Sequence, residues 1–350
     1  MSINEYPWSF RINGDTRNKR MRVDAAAAFD AYRRCDSRAR VNEESYLGIF
    51  QFDEEFVEHL ERVGSTRGFT GATWANNLWF DIDRSPEEGG IERAIIDTQR
   101  LLEVLQEQYF VPIDCTMPFI SGGKGCHLGL PTRLWSPEGG EFFHLVAREF
   151  AERIATQAGV KIDTGIYDRV RAFRSPNSRH PRTGLHKRFV KPEHFGLLTL
   201  EDAMMLAAAP APFCLPDDTE VALIASLAKE WEAASQTVAA RQAAFQSRLS
   251  EQSANTSAAR VNRLTLELIR GEPVAVGDRH RLIYSAARNL AEAGASKHLI
   301  EELLREPALD TGLPPSEVER QLHCGFVAVA SQAPHLPANT TPDSDPLGVQ

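Results

Sequence analysis

In the N-terminal part of the chain the apolar positions come in short runs, some with a period of two and some with a period near 3.6. "NNLWFDID" (76–83) gathers Leu78, Trp79, Phe80 and Ile82 into one such run, which predicts a strand ending in acids. Ser85 and Pro86 follow as an N-cap and first helical position, and Ile91, Ile95, Leu102 and Leu105 then recur at helical spacing. "YFVPIDCTMPFIS" (109–121) predicts the next strand, a glycine turn follows, and "CHLGLP" (126–131) returns as another. A helix over roughly 141–158 leads to "VKID" (160–163), a short apolar run read as a further strand end, and then to "RVRAFRS" (169–175). Thr199 with Asp202 opens a short helix that stops in the Pro/Ala-rich segment 207–218.

Beyond that segment the pattern changes. Residues 219–260 are rich in Ala, Glu, Gln and Arg and predict one long helix, and 277–331 predicts three amphipathic helices, the last opened by a capping box from Ser316 to Glu319. The reading is an α+β fold: a mixed unit over 1–215, a helical connector over 216–260, an all-α domain over 261–331, and a disordered tail over 332–350. No internal repeat is present.

Composition adds little to this until charge is mapped. The 350 residues are 42% hydrophobic and 25% charged, as in ordinary globular proteins, and no apolar run reaches membrane-spanning length, so no membrane partner is expected. The N-terminal segment has no apolar targeting core. Five scattered cysteines without C-x-x-C spacing predict neither disulfides nor a zinc site and fit a cytoplasmic location. Net charge is −9, yet residues 161–191 hold nine Lys/Arg against Asp163 and Asp168, and residues 11–40 hold nine against four Asp. Two basic zones in an acidic chain point to a local polyanion site.

The candidate chemistry lies between those zones. On a strand, period two places Asp81 and Asp83 on one face, where like charges repel unless a cation, commonly magnesium or manganese, sits between them. The same spacing also suits a solvated strand end. Asp163 supplies a third carboxylate, and three acids from two strand ends could hold two metal ions for phosphoryl transfer. "SGGKGCH" (121–127) lacks the P-loop spacing and leads into a strand, so it reads as a hairpin turn. Its backbone N–H groups, with Ser121, Lys124 and His127, would meet phosphate oxygens, and Arg174 would add a bidentate donor.

Together these motifs resemble the archaeo-eukaryotic primase superfamily, its primase-polymerase branch in particular. "LWFDID" matches the h-h-D-h-D motif, "SGGKGCH" the S-G-x-x-G-x-H motif, and "IDTGIYDRVRAFRSPNS" the third, an aspartate followed by a basic segment. They stand in the family's order over residues 78–178. Eukaryotic members carry Ser two positions before the second-motif His, where this chain has Gly125. The resemblance implies an RNA-recognition-motif-like core with a mixed or antiparallel sheet. It implies a DNA-dependent primase-polymerase that synthesises primers de novo on single-stranded DNA from NTPs or dNTPs and extends them by two-metal nucleotidyl transfer. Asp81, Asp83 and Asp163 would be the catalytic metal ligands, for two Mg²⁺ or Mn²⁺ ions. Ser121, Lys124, Gly125, His127, Arg174 and Ser178 would bind the nucleotide. The C-terminal part resembles the helical domains of phage and plasmid primases, which implies an initiation or template grip at Arg279, His280 and Arg281. It also implies a mobile-element origin and a separate replicative helicase as partner. An extension-only repair polymerase of the same superfamily and a D-x-D nucleotide-sugar glycosyltransferase remain as alternatives.

Overall fold

Alternating burial builds the first sheet. In the computed structural model, which describes residues 5–216, 221–254, 261–272 and 278–330, β1 (Trp8–Asn13) turns Phe10 and Ile12 into the core. It pairs with β2 (Met21–Asp24), β3 (Ser45–Gly48) and β4 (Gln51–Phe52), and β5 (Thr73–Trp74) extends the edge beside β4. Helices α1 (Ala25–Arg34) and α2 (Glu54–Val63) are started by Asp24 and Asp53, whose carboxylates accept the Ala27 and Glu55 N–H groups. Under this sheet Phe52 stacks on Phe56 with ring centroids 4.0 Å apart.

The second sheet carries the motifs. It comprises β6 (Asn77–Asp83), β7 (Met117–Ile120) and β8 (Gly125–Pro131), flanked by α3 (Gly90–Glu107) and α4 (Phe143–Gln157). After them β9 (Ala172–Arg174) joins the first sheet beside β3, and β10 (Arg188–Phe189) joins the second beside β7. The orders are β5-β4-β1-β3-β9 and β10-β7-β8-β6, with antiparallel pairing in the registers of both sheets. Every residue of β7 and β8 is buried, because helix α3 covers one side and β9 the other. The chain is therefore α+β, with antiparallel sheets.

Helices α5 (Pro192–Phe195) and α6 (Leu200–Ala207) close this half, the latter through the expected Thr199–Asp202 capping box. The long helix is α7 (Ala225–Ala254), followed by α8 (Arg263–Ile269), α9 (Arg279–Glu292), α10 (Lys297–Asp310) and α11 (Pro315–Ala330). Leu227, Ala234 and Val238 of α7 belong to the same hydrophobic cluster as the two sheets, and Trp231 packs on Phe143 with ring centroids 5.2 Å apart. Phe245, further along the same stripe, packs on a second cluster built by α8 to α11. One helix thus serves both cores.

Four details differ from the pattern-based expectation. Residues 160–163 form no strand: the segment runs beside the end of β6 with one backbone bond, Asp163 N to Asp81 O at 2.8 Å, and then turns into a 3₁₀ helix (Thr164–Tyr167) capped by Asp163. The Ser85–Pro86 start opens only a 3₁₀ turn (Pro86–Glu88), because Gly89 and Gly90 adopt φ of 96° and 55° and α3 begins after that break. Helix α11 begins at Pro315, so Ser316 lies inside its first turn rather than at the cap. The short α8 has no counterpart in the sequence reading. The expected tail over 332–350 lies outside the described residues.

Candidate active site

Register decides what the two acids of β6 face. Asp81 stands opposite His127 and Asp83 opposite Gly125 on β8, so acids, histidine and turn share one face of the sheet. Gly125 is required by this pairing: a Cβ there would overlap Asp83 Oδ1 and lie 2.5 Å from the Ile82 carbonyl oxygen. The glycine found where eukaryotic relatives of the resembled family carry serine therefore gives Asp83 its room.

The turn is held from inside. Ser121 Oγ accepts the Gly123 and Gly125 N–H groups at 3.2 and 3.3 Å. Those two amides, expected to face phosphate, are consumed within the turn because Ser121 is buried and its oxygen has nowhere else to point. Ser121 is thus a shaping residue, and Lys124 is what the turn presents. Its ammonium lies 3.2 Å from Asp83 Oδ2 on an exposed rim, where such a pair contributes little.

Asp163 meets the β6 acids through its backbone bond to Asp81 while its own Oδ1 accepts Gly165 N at 2.8 Å. Arg84 ties this corner together: its guanidinium pairs with buried Asp97 at 2.7 Å and donates to the carbonyls of Asp83 and Lys161 at 2.6 and 2.8 Å. Nothing in the sequence motif singles out Arg84, because its role depends on Asp97 arriving on α3. Gly165 in turn has Pro315 of α11 pressed against it, 2.5 Å from where a Cβ would stand, so the helical part touches the loop that carries the third acid.

Electrostatically the corner is unresolved. Burial, then repulsion from Asp83 and Asp163, raises the Asp81 carboxyl well above the usual carboxylate range; Lys187 and Arg171 oppose this. Asp81 Oδ1 is buried without a hydrogen-bond partner, 3.5 Å from His127 Nε2. Burial, reinforced by Lys187 and Arg174, holds His127 well below the usual imidazole range, so it enters the site as a neutral donor and acceptor rather than as the cation the sequence suggested. Its Nδ1 is likewise buried and unpartnered.

Lys187 is the residue that motif reading passed over. It is 1% exposed, donates to the Arg174 carbonyl at 3.0 Å, and lies over the rings of Phe173, Trp79 and Phe119 at 4.3 to 4.9 Å. Burial pushes its ammonium well below the ordinary lysine range, with Asp81 acting against that shift. A basic residue flanked by apolar strand positions (His186, Lys187, Arg188, Phe189) was the available signal. Arg174 stands opposite Tyr46, with its guanidinium 5.3 Å from that ring.

Two groups of expected site residues fall elsewhere. Ser178 is fully buried, and its hydroxyl donates to the Ser175 and Ser45 carbonyls at 2.8 and 3.2 Å, so it locks the loop after β9 and offers nothing to a ligand. Arg279, His280 and Arg281 open α9, where His280 pairs with Glu317 and Arg281 with Asp278 at 3.5 Å. Arg279 alone points back toward the sheets: Arg20, lowered to about 10 mainly by burial, is lowered further by Arg279 and Arg171. The two basic zones and the start of α9 thus converge on one spot.

No family model matches the chain, and no curated protein matches it. Among solved structures, the crystal structure of primase RepB′ is similar over 95% of this chain and 97% of that one, at 14% identity and a TM-score of 0.35. A likeness that distant says nothing about chemistry. No described helix is long and apolar enough to cross a membrane.

Proposed function

We propose that the protein is a metal-dependent nucleotidyltransferase of the primase-polymerase type, acting with nucleoside triphosphates on a single-stranded DNA template. The observation that carries this reading is Asp81: a buried carboxylate with an unpartnered oxygen, beside two further acids, at the foot of a turn that offers a lysine. Such a group is stable as an anion only beside a cation, and no built-in cation contacts it.

The donor set fits a hard divalent ion, Mg²⁺ or Mn²⁺: oxygen ligands from Asp81, Asp83 and Asp163, one of them already short of a partner. Among the described residues no three His, Cys, Asp or Glu side chains are gathered tightly enough to hold a metal unaided, which suits an ion that shares its shell with water and phosphate. When bound, a metal pair would lower the pKa of an attacking hydroxyl and take up charge on the leaving pyrophosphate. The chain's own residues do the rest. Lys124 exchanges Asp83 for phosphate, neutral His127 supplies a donor, and Arg174 and Lys187 meet the remaining charge from the far side. The Arg20, Arg171 and Arg279 convergence suits a nucleic-acid backbone or a 5′-phosphate, and would let α9 act in initiation.

The test is incorporation of labelled nucleotides on unprimed single-stranded DNA with Mn²⁺ or Mg²⁺, run beside Asp83→Ala. Short products from the wild type alone support the reading. Products only with a supplied primer favour the extension-only alternative. Absence of both from folded protein sinks it.

A further inference from the structure

A cavity of about 640 Å³ opens between the two sheets, beyond Lys187 as seen from the acids. Its lining includes Trp79 but none of Asp81, Asp83, Asp163 or His127, so it is not the acid corner under another name. Its size is that of pockets that enclose a small organic ligand. The walls are aromatic: Phe29 of α1, Trp74 of β5, Trp79 of β6 and Phe173 of β9.

Two polar atoms on this lining lack partners. Gln51 Oε1 and Ser175 Oγ are both buried without a hydrogen bond, and Ser175 is 1% exposed. Leaving such groups unsatisfied in a folded core is costly. A purely apolar ligand, an acyl chain for instance, would leave both unpaired. A flat heterocycle with N–H donors and ring acceptors on its edge would satisfy them while stacking on the aromatic walls. Lys187 and Arg174 reach the same lining and place positive charge where a phosphate on that heterocycle would sit.

We infer that this cavity is a second ligand site, for a purine nucleoside or nucleoside monophosphate, separate from the acids. A ligand there would bridge residues of the first sheet (Gln51, Ser175) and of the second (Trp79), and so clamp the two together. The inference does not depend on the acids being a polymerase centre, since binding is read without metal, template or turnover.

The experiment titrates the full-length protein in EDTA with adenosine, guanosine and their monophosphates, following tryptophan fluorescence and calorimetry. Saturable binding is expected for wild type and equally for Asp83→Asn. Gln51→Leu and Ser175→Val, which keep volume and remove one hydrogen-bonding group each, should each weaken it roughly tenfold. Circular dichroism and thermal melting establish that each variant is folded, and two independent variants guard against one failing to fold. The inference is overturned if folded wild type shows no saturable binding at millimolar ligand. It is overturned equally if binding vanishes in Asp83→Asn, which would put the ligand at the acids, or survives unchanged in both cavity variants, which would put it elsewhere. Failure here leaves the primer-synthesis assay untouched, and the converse holds.

Discussion

Two places in this molecule bury carboxylates, and they resolve the problem in opposite ways. Where α10 meets the sheets, Glu306 pairs with Arg148 at 2.8 Å, Asp168 lies 3.8 Å from Arg171, and Asp310 is held against Arg169. Burial pushes Asp310 up to about 7, helped by Glu306 and opposed by Arg169. Every acid there has an arginine of its own chain, and Asp310 can also keep its proton. In the corner of Asp81 the neighbours are other acids, and the nearby cations are engaged elsewhere: Lys187 with the Arg174 carbonyl and the rings, Arg84 with Asp97. The first arrangement is closed and reads as structure. The second is open and calls for a cation from outside. Raised carboxylate pKa values alone would not tell them apart; the partners do.

The largest effect should come from breaking the open corner. Asp81→Ala is expected to cut nucleotide incorporation on the order of a thousandfold or more, as for residues that act as a unit. It should leave the melting temperature unchanged or raised, because a repelling buried charge is gone. A large stability loss instead would make Asp81 structural.

Breaking the closed junction should do the reverse. Arg169→Met leaves Asp310 and Glu306 without that cation and should destabilise by about 3–5 kcal/mol in urea unfolding. Adding Asp310→Leu should recover most of the loss. If Arg169→Met is neutral, the junction is not held as described.

The pH dependence sharpens the comparison next. Asp310 ionises in the unfolded chain near an ordinary carboxylate value but near 7 when folded, so the native state binds more protons between those limits. Stability from this residue is therefore greatest at acid pH and falls as pH rises toward 7, by roughly 4 kcal/mol at most for a shift of about three units. Urea midpoints from pH 4.5 to 8 should show a decline that Asp310→Asn removes. In the open corner, metal ions should bind more weakly as pH falls, since Asp81 must lose its proton first.

The smallest stability effect belongs to Lys124→Ala. Its exposed pair with Asp83 should contribute under about 1 kcal/mol, so the melting temperature hardly moves. The nucleotide KM should rise several-fold. A large melting shift with no KM change would assign Lys124 to the fold.

What the sequence determined by itself was local. Period two put Asp81 and Asp83 on one face of β6, glycine density marked the turn, and helical spacing located α4, α7 and the three helices after Asp278. These follow from nearest neighbours along the chain, which is why pattern alone carries them. The expected strand at 160–163 was lost because its apolar run is as short as a loop's, and one bond to Asp81 O replaces a ladder. Ser178 read as a ligand because a hydroxyl in a basic segment looks available until Ser45 and Ser175 are seen to claim it. Lys187, Arg84 and the meeting of Arg20 with Arg279 were illegible for a shared reason. Each depends on segments far apart in sequence arriving at one place: β10 on the second sheet, α3 behind β6, α9 against the first sheet. Whether a charge is buried, and what lies beside it, is set by those long-range arrivals. Only the tertiary structure decided that Asp81 lacks a partner and that Asp310 has one.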